Sequence, residues 1–149
     1  MLQSSGVIEY DPYRGDMANT QWWCVMNTDN ELCRYYREWV QKNPTFFGET
    51  RLDLIQPSWK AHVSLVRGET PREEYKPLWK KYHRKKVKFD YDPVVRRTGD
   101  TTGNDRPGTF FFLDVYFDLY LVLRGELGLQ TERDGVPFKG HLTIGRTND

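Results

Sequence analysis

Cysteine and histidine are scarce in this 149-residue chain, which has two of the first and three of the second. Cys24 and Cys33 form no CxxC pair and are too few for a disulfide framework, so they read as buried, reduced thiols of a cytoplasmic protein. So few thiols and imidazoles leave little material for a zinc site. A carboxylate-only magnesium site stays open, and no cofactor or metal is expected. No apolar run approaches the roughly 20 residues that span a bilayer, so no membrane partner is expected. The opening MLQSSGVIEYDPYRG lacks a basic stretch followed by an apolar one and is not expected to act as a secretory signal. No low-complexity segment or linker divides the chain, which reads as one domain over residues 1–149.

Aromatic residues, by contrast, are abundant at 15%, and this excludes a disordered chain. The net charge of +1 conceals a strongly basic stretch. Between Lys76 and Arg97 nine basic residues face only Asp90 and Asp92. Such a run is either a solvated face or a patch that attracts phosphates.

Hydrophobic patterning predicts strands over 20–27, 61–67, 86–91, 109–116 and 140–146, with a shorter one at 52–56. Thr28 and Glu31 form a capping-box pattern ahead of a helix that ends before Pro44. A short helix opens at Thr70-Pro71, and Leu119–Leu127 reads as a helix capped by Gly128. Asp134-Gly135 marks a turn. Residues 1–19 read as an irregular lead-in, and 92–108 as a long loop. About six strands interleave with three or four helices.

The most informative feature is a repeat. His62-Val-Ser-Leu-Val-Arg67 and His141-Leu-Thr-Ile-Gly-Arg146 share the order His, aliphatic, hydroxyl, aliphatic, any, Arg. On a strand, alternation sets His62 beside Ser64 and His141 beside Thr143 on one face. Ser and Thr fill 16 positions of the chain. Two of three histidines acquiring such a partner by chance therefore has odds of roughly 3–4% in this period-two picture. Chemistry supplies a reason for the doubling. Breaking a phosphodiester needs one group to take a proton from the attacking oxygen and another to give one to the leaving oxygen, and histidine does either near neutrality. The two hydroxyls can donate to the non-bridging oxygens as charge builds. On a straight strand Arg67 and Arg146 would point to the opposite face, as surface ion pairs or as phosphate contacts. His83, followed by Arg84 and Lys85, reads as part of a solvated basic helix end.

This doubled motif resembles the 2H phosphoesterase superfamily. Within it, Pro12-Tyr-Arg-Gly-Asp-Met17, Trp22-Trp-Cys-Val25, Trp59-Lys-Ala-His-Val-Ser64, Leu127-Gly-Leu129 and the closing TIGR are most similar to the phage anti-CBASS protein 1 family. The resemblance implies a bilobal α+β fold, with two antiparallel sheets facing across a central cleft and helices outside. It implies metal-independent cleavage of 3′–5′ linkages in cyclic di- and trinucleotide immune signals, with His62 and His141 as the acid–base pair and Ser64 and Thr143 on the phosphate. The product would be a linear 3′-phosphate, formed in the cytoplasm of an infected bacterium. Candidate substrate contacts are Tyr13, Arg14, Tyr91, Arg67 and Arg146. No obligate protein partner is evident. Two alternatives stay open: a related enzyme acting on RNA 2′,3′-cyclic phosphate ends, and a non-catalytic cyclic-nucleotide sponge.

Overall fold

The computed structural model describes residues 1–98 and 108–148. Nine strands organise these residues: β1 (Leu2–Tyr10), β2 (Cys24–Asn27), β3 (His62–Val66), β4 (Lys86–Tyr91), β5 (Arg96–Arg97), β6 (Phe110–Tyr116), β7 (Glu132–Arg133), β8 (Val136–Pro137) and β9 (Gly140–Arg146). Two α-helices accompany them, α1 (Asn30–Lys42) and α2 (Asp118–Glu126), with 3-10 turns at Pro44–Phe47 and Glu73–Leu78.

Each main strand places alternate apolar side chains on one side: Ile8 and Tyr10, Cys24 and Met26, Val63 and Leu65, Phe89 and Tyr91, Leu113 and Val115, Leu142 and Ile144. All are buried, most of them completely, and full burial of a leucine or isoleucine is worth about 1.5–3 kcal/mol. The strands satisfy this common demand by closing on themselves. They pair in the order β4-β1-β2-β3-β9-β6, and β6 returns to β4 through Asp90 opposite Tyr116 and Tyr91 opposite Val115. The result is an antiparallel six-stranded barrel. β5 extends it beside β6, and β7–β8 is a separate hairpin turning at Asp134-Gly135.

This architecture corrects the bilobal expectation. There are not two facing sheets, each with its own motif; one continuous ring holds both motifs on neighbouring strands. The physical reason lies in β1. Gly6, Ile8 and Tyr10 point inward, and the strand pairs with β2 on one side and β4 on the other. A segment read as an irregular lead-in thereby bridges what would otherwise be two open edges.

Helix α1 starts one residue later than the capping box suggests. Asp29 is the N-cap, its carboxylate accepting from the Glu31 amide at 2.9 Å, an interaction worth about 1 kcal/mol. Cys33, Tyr36 and Val40 enter the core, and Arg37 donates to the Ile144 carbonyl at 3.0 Å, tying α1 to β9. Both cysteines are free and buried, and burial pushes the Cys33 thiol up to about 12. Helix α2 ends at Leu127 with Gly128 left-handed behind it (φ 69°). Its buried Arg124 grips both Glu69 oxygens at 2.9 and 2.7 Å and the Leu65 carbonyl at 2.8 Å, which fixes α2 to the end of β3. No helix among the described residues is long and apolar enough to cross a membrane.

Candidate active site

The two motifs meet because β3 and β9 are hydrogen-bonded neighbours. Val63 lies opposite Leu142, and both point into the barrel. Continued along this antiparallel pair, the same register sets His62 opposite Thr143 and Ser64 opposite His141, all four on the outer face. The two histidines are then diagonal neighbours, with roughly 7–8 Å between their backbones. Gly140 permits the approach of the strands: a Cβ there would fall 2.6 Å from Val63 Cγ1. All four side chains line a single cleft of about 270 Å³.

Arg67 and Arg146 line the same cleft, against the straight-strand expectation. The reason is a bulge repeated in both motifs. On β3, Ser64 pairs with Val25 and Val66 with Cys24, so Leu65 is the extra residue. On β9, Thr143 pairs with Phe112 and Gly145 with Phe111, so Ile144 is the extra residue. Each bulge follows the hydroxyl residue and reverses the alternation. Leu65-Val66 and Ile144-Gly145 are consequently consecutive buried pairs, and the arginine five places after each histidine returns to the histidine's face.

The remaining substrate candidates divide. Tyr13 is 73% exposed, and its hydroxyl donates to Asp16 at 2.6 Å. Arg14 is buried, its guanidinium 5.4 Å from the Trp23 ring and 5.6 Å from the Trp59 ring. Tyr91 is a core residue, 7% exposed and packed edge-on against Tyr36, so it is not placed to stack on a base. Trp59, 39% exposed on the cleft wall, is the better platform, and stacking on such a ring is worth about 1–3 kcal/mol per base. His83 accepts from the Tyr10 amide through Nδ1 at 3.2 Å. The basic run Lys76–Lys88 leads into and along β4, three pairings from β3 in either direction around the barrel. Of the charged stretch, Arg96 is brought to the neighbourhood of His141 by way of Asp114.

The histidines have different surroundings. His62 Nδ1 lies 2.9 Å from the Lys60 carbonyl. A carbonyl only accepts, so Nδ1 carries the proton and Nε2 presents a lone pair. Burial, followed by the Arg14 and Arg67 charges, holds this imidazole below its usual value despite the carbonyl. Its ring also packs edge-on to Trp23, and Arg67 covers Trp23 at 4.7 Å. His141 is likewise lowered by burial, with Asp114 pulling the other way and Lys139 reinforcing the drop. Its Nε2 is 3.6 Å from Asp114 Oδ1, and the Phe112 ring is 4.6 Å away.

Asp114 and Lys139 are absent from the sequence-based candidates. Asp114 had a legible signature: a lone carboxylate inside the otherwise apolar run Phe110–Val115, a residue type that is buried only when paired. No group of three or more metal-ligating side chains occurs among the described residues. The arrangement offers two imidazoles, two hydroxyls and three cations, Arg67, Lys139 and Arg146, around one small cleft. That set can bind a phosphate and move protons on either side of it. Comparison of the chain with protein-family models, curated proteins and solved structures returned no match.

Proposed function

We propose that the protein is a metal-independent phosphodiesterase of the two-histidine type that opens cyclic di- or trinucleotides at a 3′–5′ linkage. The observation that carries the reading is the convergence of both His-x-hydroxyl motifs from β3 and β9 on one cleft. The reading rests on the site and not on the fold, since one fold serves many chemistries.

In the reaction, one imidazole takes the proton of the ribose 2′-hydroxyl as that oxygen attacks the adjacent phosphorus. The phosphorus–O5′ bond breaks, and the other imidazole protonates O5′. A 2′,3′-cyclic phosphate results. Water then opens it to a 3′-phosphate while the imidazoles exchange roles and regain their starting protonation. Ser64 and Thr143 donate to the non-bridging oxygens, and Arg67, Lys139 and Arg146 neutralise the phosphate. The cleft lies near the lower limit of about 300 Å³ for ligand pockets, which suits one linkage with its flanking nucleoside. The rest of the macrocycle would lie outside, against Trp59. In an infected bacterium such an enzyme would remove the signal on which cyclic-nucleotide immunity depends.

The test is chromatography of a 3′,3′-cyclic GMP–AMP digest in excess EDTA, beside His62→Ala and His141→Ala. A linear 3′-phosphate product, lost with either variant, is expected. Abolition by EDTA with restoration by a divalent metal would defeat the mechanism. Turnover of RNA 2′,3′-cyclic phosphate ends alone would change the substrate, and tight binding without turnover would make the protein a sponge.

A further inference from the structure

Asp114 is 1% exposed on β6, directly across the β6–β9 pair from His141. Its Oδ2 accepts from Lys139 Nζ at 3.0 Å and forms an ion pair with Arg96, whose Nε lies at 3.0 Å. These two cations offset the cost of burying the side chain. Its Oδ1 is buried without a hydrogen-bond partner and lies 3.6 Å from His141 Nε2. A buried carboxylate oxygen left unpaired is costly, and 3.6 Å is too long for a hydrogen bond. A short movement of His141 would bring an Nε2–H within reach of it, and the ion pair is strongest when the ring is protonated. The charged groups near His62 have the opposite sign: the Arg14 and Arg67 guanidiniums lie near its ring, and only the neutral Lys60 carbonyl on Nδ1 favours its proton.

We propose that Asp114 is a positioning residue that holds His141 as the proton donor to the leaving oxygen, which leaves His62 as the base that activates the nucleophile. The assignment rests on the phosphodiesterase reading above. Asp114 touches no substrate. Once the 3.6 Å gap closes, it engages Nε2 of His141 and leaves Nδ1 to carry the proton that is transferred. Lys139 and Arg96 face the same carboxylate from the segment before β9 and from β5. Their side chains are 45% and 50% exposed, so water screens their repulsion of the imidazolium more than it screens the buried carboxylate's attraction. Among the described residues no carboxylate forms a corresponding ion pair with His62.

Nitrogen-15 NMR of the histidine rings across pH, on the full chain without substrate, tests this without relying on turnover. His141 is expected to take its proton at higher pH than His62. Asp114→Asn should move the His141 midpoint down and leave that of His62 in place. Because Asp114→Asn removes both ion pairs of a buried carboxylate and can unfold the chain, the exposed Lys139→Met provides the second arm. It removes a repelling cation and should move His141 up. In the kinetic readout, Asp114→Asn should lower kcat by roughly ten- to a hundredfold, part of the 10²–10⁴ that a general acid supplies. Its alkaline limb should shift toward acid pH while its acid limb stays. Coincident movement of both histidines, no movement of His141 in either variant, or a reversed order of protonation would overturn the assignment. The expected titrations without turnover would instead count against the phosphodiesterase reading alone.

Discussion

The β3–β9 cleft and the basic surface leading into β4 are both candidate phosphate sites, and they are built in opposite ways. The basic surface has the charge: Lys80, Lys81, Arg84, Lys85, Lys86 and Lys88 are all exposed. Yet its members point outward along a strand and its approach, and two are already engaged, Lys81 with Glu126 at 3.1 Å and Lys80 with Asp11 at 3.8 Å. The cleft has fewer cations but brings them together with two imidazoles and two hydroxyls. Convergence on one point, not density along the chain, distinguishes a place where a phosphate is transformed from one where it is merely attracted. Charge density in a sequence reports solvation and steering, whereas spacing relative to strand alternation reports convergence.

The comparison is sharpened most by variants of the cleft. His62→Ala and His141→Ala should each lower kcat on a cyclic dinucleotide by roughly 10²–10⁴. A substrate with an acidic leaving group, such as uridine 3′-(p-nitrophenyl phosphate), needs no proton on that oxygen. On it, His141→Ala should recover most of the loss while His62→Ala stays impaired, as measured by nitrophenolate release. Equal recovery, or none, would break the division of labour between the strands.

Much of this cleft was legible in the sequence because its logic is local. A His-x-Ser or His-x-Thr pair on a strand shares a face whatever the topology, and the extents of β4 and β9 follow from local alternation and from breaks at glycine. The barrel was not legible, because it depends on non-local pairing. Only two residue pairs close β6 onto β4, and β1 carries Ser4, Ser5 and Gly6 where a strand usually has branched or aromatic residues. Two-sided pairing overrides that weak propensity. The positions of Arg67 and Arg146 were misjudged for a different reason. A single bulged residue reverses every later side chain, and Leu65 and Ile144 look like ordinary inward residues in the sequence. Tyr91 was misjudged because its inward parity on β4 is set by the same alternation that buries Phe89.

A smaller effect concerns pH. Burial lowers both imidazoles from 6.5, so the neutral forms dominate at pH 7, whereas the reaction needs one ring protonated. The kcat/KM profile should therefore be bell-shaped, with its optimum on the acid side of 6.5. Stability runs the other way. A histidine whose folded value is depressed is protonated more readily in the unfolded chain, so stability falls as pH drops through 6.5 toward the folded values. Rate profiles paired with denaturant unfolding at each pH should show activity rising over a range where stability declines. An optimum above pH 7 would mean that the cleft does not set the protonation of its own histidines.

The smallest effect belongs to the basic surface, and it decides whether the two regions are separate. Lys85→Ala, Lys86→Ala and Lys88→Ala together remove three exposed charges remote from the cleft. At physiological salt the field of such charges decays over about 8 Å, so they reach the cleft only as a weak, long-range attraction. The triple variant should keep kcat, lose less than about threefold in kcat/KM, and show a flatter dependence on ionic strength, because only the encounter is steered. Stopped-flow measurement from low to high salt separates the outcomes. A loss of tenfold or more that persists at high salt would mean the substrate spans from the cleft to β4. The basic surface would then hold a second part of the same ligand, and the contrast between attraction and convergence would no longer describe two sites.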